Sequence, residues 1–284
     1  MKFGKRKQKT AVVEEQTVDC VTTENGETCE QLQMEGVEKL RTPYPFDFEN
    51  DQKLKKEFVD FKIRTLLHRI DHTLLKQDCT EKDLNKLCDE ANEYGFYSVC
   101  VQPVHVSFAK KRLGKNSHVK VATVIGFPMG ENLSVIKAKE TQKAIKCGAD
   151  EIDMVACISS IKNGDYRYVR RDVERVVKAA KGRPVKVIIE TGLLTDKEIT
   201  RAATAAMQGK ATFVKTSTGY FGGGATVEAV RRIREAVGDR CSIKASGGIR
   251  TADDLMQMLS AGADRIGTSA GVTIAKQLAE TTDL

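Results

Sequence analysis

The stretch CGADEIDMV at residues 147–155 returns with few changes as AGADRIGTS at residues 261–269. Both stretches lead from the end of an amphipathic segment, through a glycine and an aspartate, into a short apolar run. The chain therefore uses one helix–loop–strand unit at least twice. Buried strands that alternate with helices are parallel strands joined by crossover helices, which indicates an α/β fold.

Short apolar runs continue this pattern along the chain, and successive runs begin roughly 22 to 35 residues apart. The eight runs are IDHTLL (70–75), SVCVQ (98–102), KVATVIGF (120–127), EIDMVA (151–156), VKVIIE (185–190), FVKTST (213–218), SIKASGG (242–248) and RIGTSAG (265–271). Eight strand–helix units in about 220 residues predict a (β/α)8 TIM barrel. A doubly wound open sheet is the alternative. It more often carries a glycine-rich fingerprint after its first strand, and IDHTLLKQD has none.

The first part of the chain differs from the rest in its composition. Residues 1–48 are polar, with charges of both signs and little apolar periodicity. We predict that they form a disordered tail, followed by a barrel domain over residues 49–284. The basic KRKQK near the start is compatible with a nuclear signal or a phosphate-binding arm, although such short runs are usually only solvated.

A helix is predicted between this tail and the first strand. Asn50 or Asp51 could cap it, since both side chains are good hydrogen-bond acceptors at a helix start. Apolar residues then recur at helical spacing. We expect three of them to cover the bottom of the barrel, namely Phe58, Phe61 and Leu66.

Composition limits the partners and the location of the protein. A formal net charge of +7 over 284 residues suits small anionic ligands as well as it suits nucleic acid. No window approaches the apolar length that spans a bilayer, and the N-terminus lacks the apolar region of a secretion signal. We therefore expect a cytoplasmic protein with a small-molecule substrate, without a nucleic-acid or membrane partner.

The cysteines and histidines do not form a recognisable metal site. The eight cysteines are scattered, with no C-x-x-C pair, and the four histidines lack H-x-H and H-E-x-x-H spacing. Most of the cysteines lie in apolar runs, as in SVCVQ, which is typical of reduced thiols used as small core residues. The sequence thus predicts no metal and no bound cofactor.

Two lysines occupy matching places in neighbouring strands, Lys215 in FVKTST and Lys244 in SIKASGG. Alternation along a strand puts them on one face of the sheet. Two ammonium groups that are close and partly desolvated lower each other's pKa, which gives the neutral amine that a nucleophile requires. The alternative is structural: the lysines would form ion pairs with Asp153 and Glu190 in a polar barrel core.

Loops rich in glycine and hydroxyl groups follow three of these strands. TSTG, SGG and GTSAG present backbone N–H groups beside small side chains, which suits a phosphate. They follow strands six, seven and eight, where barrels usually bind phosphate. The sequence therefore predicts an imine-forming lysine beside a phosphate site.

Together these segments resemble the deoxyribose-phosphate aldolases, a family of class I aldolases. The resemblance runs in family order from about residue 65 to 275, some three quarters of the chain. It is carried by IDHTLL, TVIGFPMG, EIDMV, KVIIETGLLTD, FVKTSTG, KASGGIRT and RIGTSAG. FVKTSTG together with KASGGIRT is highly specific.

The resemblance implies reversible cleavage of 2-deoxy-D-ribose 5-phosphate to acetaldehyde and D-glyceraldehyde 3-phosphate, without a metal or cofactor. It assigns the Schiff base to Lys215, and proton donation and acceptance to Asp153 and Lys244. It also implies a homo-oligomer, with a dimer the first expectation. The substrate-binding residues that it implies, near the sugar hydroxyls or the phosphate, are Asp71, Thr73, Thr216, Gly219, Gly247, Gly248 and Ser269.

The chain departs from the family pattern at a few positions. Gln102 replaces a frequent asparagine, Cys157 and Ser159 lie in a segment that is often VINIG, and Ala270 replaces a frequent second serine. These changes affect the expected pocket shape and phosphate affinity rather than the catalytic set. Two rival interpretations are another imine-forming sugar-phosphate barrel, such as a transaldolase-like enzyme, and a sugar-phosphate-binding barrel without catalysis.

Overall fold

The computed structural model describes residues 52–280, so the predictions for residues 1–48 lie outside the described range. Contacts divide the chain between Lys56 and Glu57, and the barrel lies in the second unit. Its sheet is a closed barrel of eight parallel strands in sequence order, which confirms the predicted (β/α)8 fold. The strands are β1 Ile70–Leu74, β2 Ser98–Val101, β3 Lys120–Ile125, β4 Glu151–Val155, β5 Val185–Ile188, β6 Phe213–Lys215, β7 Ser242–Ser246 and β8 Arg265–Thr268.

One helix precedes the first strand, and the others follow the strands around the outside of the barrel. They are α1 Gln52–Leu67, α2 Glu81–Tyr94, α3 Val106–Leu113, α4 Ser134–Lys146, α5 Ile158–Lys162, α6 Tyr166–Ala180, α7 Asp196–Gln208, α8 Val227–Val237, α9 Ala252–Ser260 and α10 Gly271–Glu280. Three begin with a capping box, in which a threonine and an acidic residue three positions later satisfy each other's backbone N–H. The pairs are Thr80 with Asp83, Thr195 with Glu198 and Thr251 with Asp254.

The repeated sequence unit makes the same structure twice. It connects α4 to β4 in one copy and α9 to β8 in the other. In each copy the aspartate accepts a hydrogen bond from the backbone of the preceding strand, Asp150 from Val121 and Asp264 from Ile243. The glycine two residues earlier has a positive φ, 107° in the first copy and 110° in the second. Glycine is needed at that turn because other residues rarely adopt this conformation.

The predicted helix before β1 is present as α1, but its buried face differs from the expected one. Leu66 packs against the main core, together with Ile63 and Leu67. Phe61 is 62% exposed, so the prediction that it covers the barrel is wrong. With 3.6 residues per turn, Phe61 lies on the opposite side of the helix from Ile63 and Leu66. The side chain of Phe58 lies outside the described part of the chain.

Alternation along the strands separates two regions of the interior. Outward-facing side chains such as Val214 and Ile243 pack against the helices in the main core. The inward-facing positions between them include Lys215 and Lys244, which are register partners on β6 and β7. The barrel therefore encloses charged groups within an apolar shell.

Candidate active site

The barrel interior contains a layer of seven charged residues, and each exposes at most 8% of its surface to solvent. Three are carboxylates and four are basic groups. They are Asp71, Glu151, Asp153, Lys186, Lys215, Lys244 and Arg265. Burying charges is costly unless they are paired and hydrogen-bonded, so the pairing within this layer determines its chemistry.

Asp153 is at the centre of the layer. Its Oδ2 accepts hydrogen bonds from Nζ of Lys215 and from Nζ of Lys244, each at 2.9 Å. Its Oδ1 accepts from Nζ of Lys186 at 2.7 Å. The structure thus brings together the three residues that the sequence predicted to be catalytic, with the carboxylate between the two lysines.

Two further carboxylates hold the remaining basic groups. Asp71 accepts hydrogen bonds from Lys244 through Oδ2 and from Arg265 through Oδ1, the latter at 2.9 Å. Glu151 lies 2.5 Å from Nζ of Lys186. Sequence reasoning missed Lys186, Glu151 and Arg265. The alternation along a strand that marked Lys215 also marks Lys186. This lysine is the register partner of Phe213 on β6 and pairs with the inward-facing Asp153, so its side chain also faces the barrel interior.

The pKa of Lys215 is lowered, mainly because burial penalises the ammonium form. The carboxylate of Asp153 opposes this shift, and the charge of Lys244 adds to it. The like-charge effect predicted from sequence is therefore present, but desolvation is the larger cause. A lysine with a lowered pKa supplies more neutral amine near pH 7.

The pKa shifts of Lys244 and Asp153 favour the charged form of each group. Burial alone would lower the pKa of Lys244, but Asp153 and Asp71 outweigh it and raise this pKa. Burial likewise raises the pKa of Asp153, but Lys186, Lys215 and Lys244 together hold it well below its usual range. The layer has four basic groups for three carboxylates, so its charges balance when one basic group is neutral. Lys215 is the basic group of this layer whose pKa falls.

Glu190 does not join this layer as the structural alternative supposed. Its carboxylate accepts hydrogen bonds from the backbone N–H and the hydroxyl of Thr218, the latter at 2.5 Å. Glu190 itself adopts a left-handed backbone conformation with φ of 54°. Its burial raises the pKa of the carboxyl, although Thr218 opposes the shift. Glu190 therefore fixes the loop that follows Lys215.

A cavity of about 500 Å³ opens above Lys215 at the carboxyl ends of the strands. Five of the predicted substrate-binding residues line it: Thr73, Gly219, Gly247, Gly248 and Ser269. Lys76 and Arg250 add positive charge to its wall. Volume and polarity suit a small anionic sugar derivative, because pockets for such ligands have a few polar groups at fixed places.

Two other predicted substrate-binding residues lie away from the cavity wall. Asp71 is fully buried, and both of its carboxylate oxygens are already occupied by Lys244 and Arg265. Thr216 is also fully buried, and its hydroxyl donates to the carbonyl of Ser246 and accepts from the N–H of that residue. Both positions support neighbouring strands rather than face the opening.

The loops after β5, β6 and β7 touch through their backbones. A Cβ on Gly224 would lie 2.5 Å from the carbonyl oxygen of Gly247, and a Cβ on Gly192 would lie 2.1 Å from the carbonyl oxygen of Gly222. The N–H of Ala225 donates to the same Gly247 carbonyl at 3.0 Å. Glycine is required here because no side chain fits between the loops.

A further glycine makes room for the second lysine. A Cβ on Gly267 of β8 would lie 2.8 Å from Cε of Lys244. The ammonium of Lys244 reaches Asp71 and Asp153 along this path. The small residue on β8 therefore allows Lys244 to cross the barrel.

The departures from the family pattern have local partners. Gln102 donates from Nε2 to the carbonyl of Leu75 at 3.0 Å. Cys157 and Ser159 both bond to Glu131, which links the loop after β3 to the start of α5. The N–H of Ala270 donates to the hydroxyl of Thr268 at 2.9 Å. Cys157, Ser159 and Ala270 do not line the cavity above Lys215.

Within residues 52–280, no group of three or more histidine, cysteine or acidic side chains is placed to hold a metal ion. The helices in the same part of the chain include none that is long and apolar enough to cross a membrane.

Fold and site together define the class of the protein: it is a (β/α)8-barrel enzyme with a desolvated lysine beneath a glycine-lined pocket. The chain belongs to the DeoC/LacD family of aldolases, whose family model matches residues 65–277. Among its relatives is the deoxyribose-phosphate aldolase of Thermococcus gammatolerans, 55% identical over 208 residues that cover 72% of this chain and 92% of the relative. Another is the deoxyribose-phosphate aldolase of Staphylococcus carnosus, 53% identical over 75% of this chain and 97% of the relative.

A solved structure with the same fold is that of deoxyribose phosphate aldolase from Aeropyrum pernix, described as a tetramer. It is 35% identical to this chain. The two structures superpose with a TM-score of 0.70 over 80% of this chain and 97% of the other. The tetramer is a property of that protein, and the dimer expected for this chain stays a prediction.

Proposed function

We propose that this enzyme reversibly cleaves 2-deoxy-D-ribose 5-phosphate to acetaldehyde and D-glyceraldehyde 3-phosphate through a Schiff base on Lys215. The observation that carries the proposal is the position of the Lys215 amine. It lies at the base of the cavity, has a lowered pKa and donates to a carboxylate that it shares with a second lysine. The names of the relatives support the choice of substrate.

The chemistry begins at the open-chain aldehyde. The neutral amine of Lys215 adds to C1, and loss of water gives the protonated imine. Loss of the proton from the C3 hydroxyl then breaks the C2–C3 bond, and the electron pair of that bond moves into the imine to give an enamine. Glyceraldehyde 3-phosphate leaves, the enamine is protonated at C2, and water releases acetaldehyde and returns Lys215.

Asp153 and Lys244 are positioned to move these protons, because Asp153 Oδ2 lies 2.9 Å from both ammonium nitrogens. Proton transfer requires such hydrogen-bond distances. We assign Asp71 a positioning role, since it is fully buried, does not line the cavity and accepts a hydrogen bond from Lys244. Thr73 would meet the sugar hydroxyls, while Gly219, Gly247, Gly248 and Ser269 would bind the phosphate. Thr216, which does not face the cavity, would support the loops.

Borohydride trapping tests the proposal directly. The protein is incubated with 2-deoxyribose 5-phosphate, reduced, digested and mapped by mass spectrometry, with unphosphorylated 2-deoxyribose, fructose 1,6-bisphosphate and fructose 6-phosphate as parallel substrates. We expect a reduced adduct on the peptide that contains Lys215, and release of acetaldehyde from the phosphorylated deoxy sugar alone. Adduct on a different lysine would overturn the nucleophile, and preferred turnover of a ketose phosphate would overturn the substrate.

A further inference from the structure

The inside of the barrel differs between its two sides at the level of Lys215. The hydrogen-bonded charges described above lie mainly on β4 to β8. The side formed by β1 to β3 carries a separate apolar cluster. Its buried members are Leu75, Cys100, Ala122 and Val124, with Phe127 packed against them. Leu75 of this cluster lines the cavity above Lys215, so the cavity has an apolar wall on this side.

Tyr220 reaches this apolar wall from the opposite side of the mouth. It follows β6 in the chain, yet its hydroxyl donates to the carbonyl of Leu75, just after β1, at 2.6 Å. Its ring meets the ring of Phe127, which follows β3, edge to face at 5.1 Å and 87°. Tyr220 also lines the cavity above Lys215, with 44% of its surface exposed to solvent. The side chain thus spans the mouth as a roof over its apolar side.

Hydrogen bonds fix this roof at both ends. The N–H of Tyr220 donates to the hydroxyl of Thr218 at 3.1 Å, and that hydroxyl is held in turn by Glu190. At the far end the Leu75 carbonyl accepts a second hydrogen bond, from Gln102. Side chains held by such networks are pre-organised, so the roof keeps one position.

The phenol is not arranged to transfer protons. Its hydroxyl is committed to a backbone carbonyl, and partial burial raises the pKa of Tyr220 above its usual value. What the ring contributes is shape. The cavity wall also includes Ser269 and glycines of the loops after β6 and β7, where the phosphorylated end of the substrate is proposed to bind.

We propose that Tyr220 determines the size of the aldehyde donor that Lys215 accepts: it confines C1 and C2 between the lysine and the apolar wall, so that a two-carbon aldehyde fits and a longer one meets the ring. The proposal rests on the function proposed above. It goes beyond it, because it assigns donor selection to a residue that takes no part in the chemistry.

The test compares acetaldehyde with propanal, which differ by one methylene at the carbon that faces the wall. A methylene in an apolar pocket changes specificity by about 10- to 200-fold. In condensation with D-glyceraldehyde 3-phosphate, Tyr220→Ala should raise the propanal-to-acetaldehyde ratio of kcat/KM by at least about tenfold. Tyr220→Leu should raise it by less, because part of the roof volume remains, and Tyr220→Phe should change it least.

Tyr168→Ala is the matched control, because this half-buried tyrosine on α6 is outside the cavity. It should leave the ratio unchanged. A ratio for Tyr220→Ala within twofold of wild type would overturn the proposal, as would an equal rise in the control.

Trapping both aldehydes on Lys215 with borohydride repeats the comparison without any phosphorylated substrate. A wild type that fails to cleave deoxyribose 5-phosphate overturns the proposed function, while the trapping ratio still decides the role of Tyr220.

Discussion

Lys215 and Lys137 are both lysines that the fold removes from water, but only one of them faces a cavity. Lys137, on α4, is fully buried and donates to Asp172 on α6 at 2.7 Å and to the carbonyl of Val155 at 2.9 Å. Within residues 52–280, Lys137 is the one basic group paired with Asp172. Lys215 instead shares one oxygen of Asp153 with Lys244.

Because Lys215 is the proposed nucleophile and Lys137 is equally removed from water, burial alone does not mark a lysine for that role. A lysine with a carboxylate of its own is neutralised as an ion pair and ties elements together, here α4, α6 and the end of β4. A lysine that must share its carboxylate is the group that can lose a proton at least cost. The ratio of acidic to basic groups around each lysine therefore distinguishes a structural lysine from a reactive one. The surroundings of Lys215 and of Lys137 can be tested against each other.

The largest expected effect is that of Lys215→Ala. Turnover should fall by on the order of 10⁴-fold or more, as when other covalent nucleophiles are removed. Asp153 would keep Lys186 and Lys244, so no carboxylate is left unpaired. The melting temperature should therefore stay at or above that of wild type. Steady-state kinetics with calorimetry measures both; a variant that keeps more than a tenth of wild-type turnover would contradict the assignment.

Lys244→Leu should lose orders of magnitude in turnover at pH 7. Removing this charge takes away one cause of the lowered pKa of Lys215 and leaves Asp71 and Asp153 less compensated, so that pKa should rise. Each unit of rise lowers the neutral fraction at pH 7 about tenfold, equivalent to about 1.4 kcal/mol. Because the neutral amine reacts, activity appears as pH increases through this pKa, and its rising limb should move to higher pH.

Single-turnover imine formation against pH measures that shift, and Lys143→Leu on the exposed surface of α4 is the matched control. A rising limb that stays at the wild-type position, with a rate reduced equally at every pH, would mean that Lys244 transfers protons without tuning Lys215.

Lys137→Ala should affect stability and leave the chemistry intact. The substitution leaves the buried carboxylate of Asp172 without its ion-pair partner, and breaking such a pair typically costs about 3–5 kcal/mol of folding free energy. The double variant Lys137→Met with Asp172→Leu should recover most of this loss, because apolar residues can replace a buried pair. Urea unfolding gives the free energies, and kcat per folded molecule should match wild type. A tenfold fall in that kcat would place Lys137 in the catalytic machinery.

The smallest expected effect is that of metal removal. No set of ligands for a metal is present in the described part of the chain, and in the proposed mechanism a protonated imine provides the electron sink that a metal would otherwise supply. Millimolar EDTA should leave kcat unchanged for both wild type and Lys137→Ala. Activity that disappears with EDTA and returns with zinc would move the chemistry away from Lys215.

The fold was predictable because it depends on local patterns that repeat. Eight apolar runs and a duplicated unit specify parallel strands, and register places Lys215 beside Lys244. The tertiary contacts of the charged side chains were harder to predict. Lys244 meets Asp71 from 173 positions away, a contact that no periodicity encodes. Arg265 begins its strand, where a basic residue normally faces solvent, so its burial beside Asp71 could not be inferred.

Errors at finer scale have physical reasons of the same kind. Phe61 was assigned to a buried stripe because it follows Phe58 at helical spacing, but the face of the helix that packs against the core is formed by Ile63, Leu66 and Leu67. Tyr220 gave no local signal, because its role depends on a carbonyl that lies 145 positions earlier in the chain. Contacts between residues on opposite sides of the barrel mouth can be identified only in the folded structure.

The glycine contacts between the loops after β5, β6 and β7 have a consequence for the evolution of the enzyme. At Gly192 and Gly224 the obstructing atom is a backbone oxygen, so a second substitution elsewhere cannot create the missing space by shortening a side chain. We therefore expect that no single substitution is tolerated at either position, and that no second substitution compensates for one. Natural or laboratory diversification of this barrel should therefore accumulate in the apolar wall and at its mouth, while the glycine loops remain fixed.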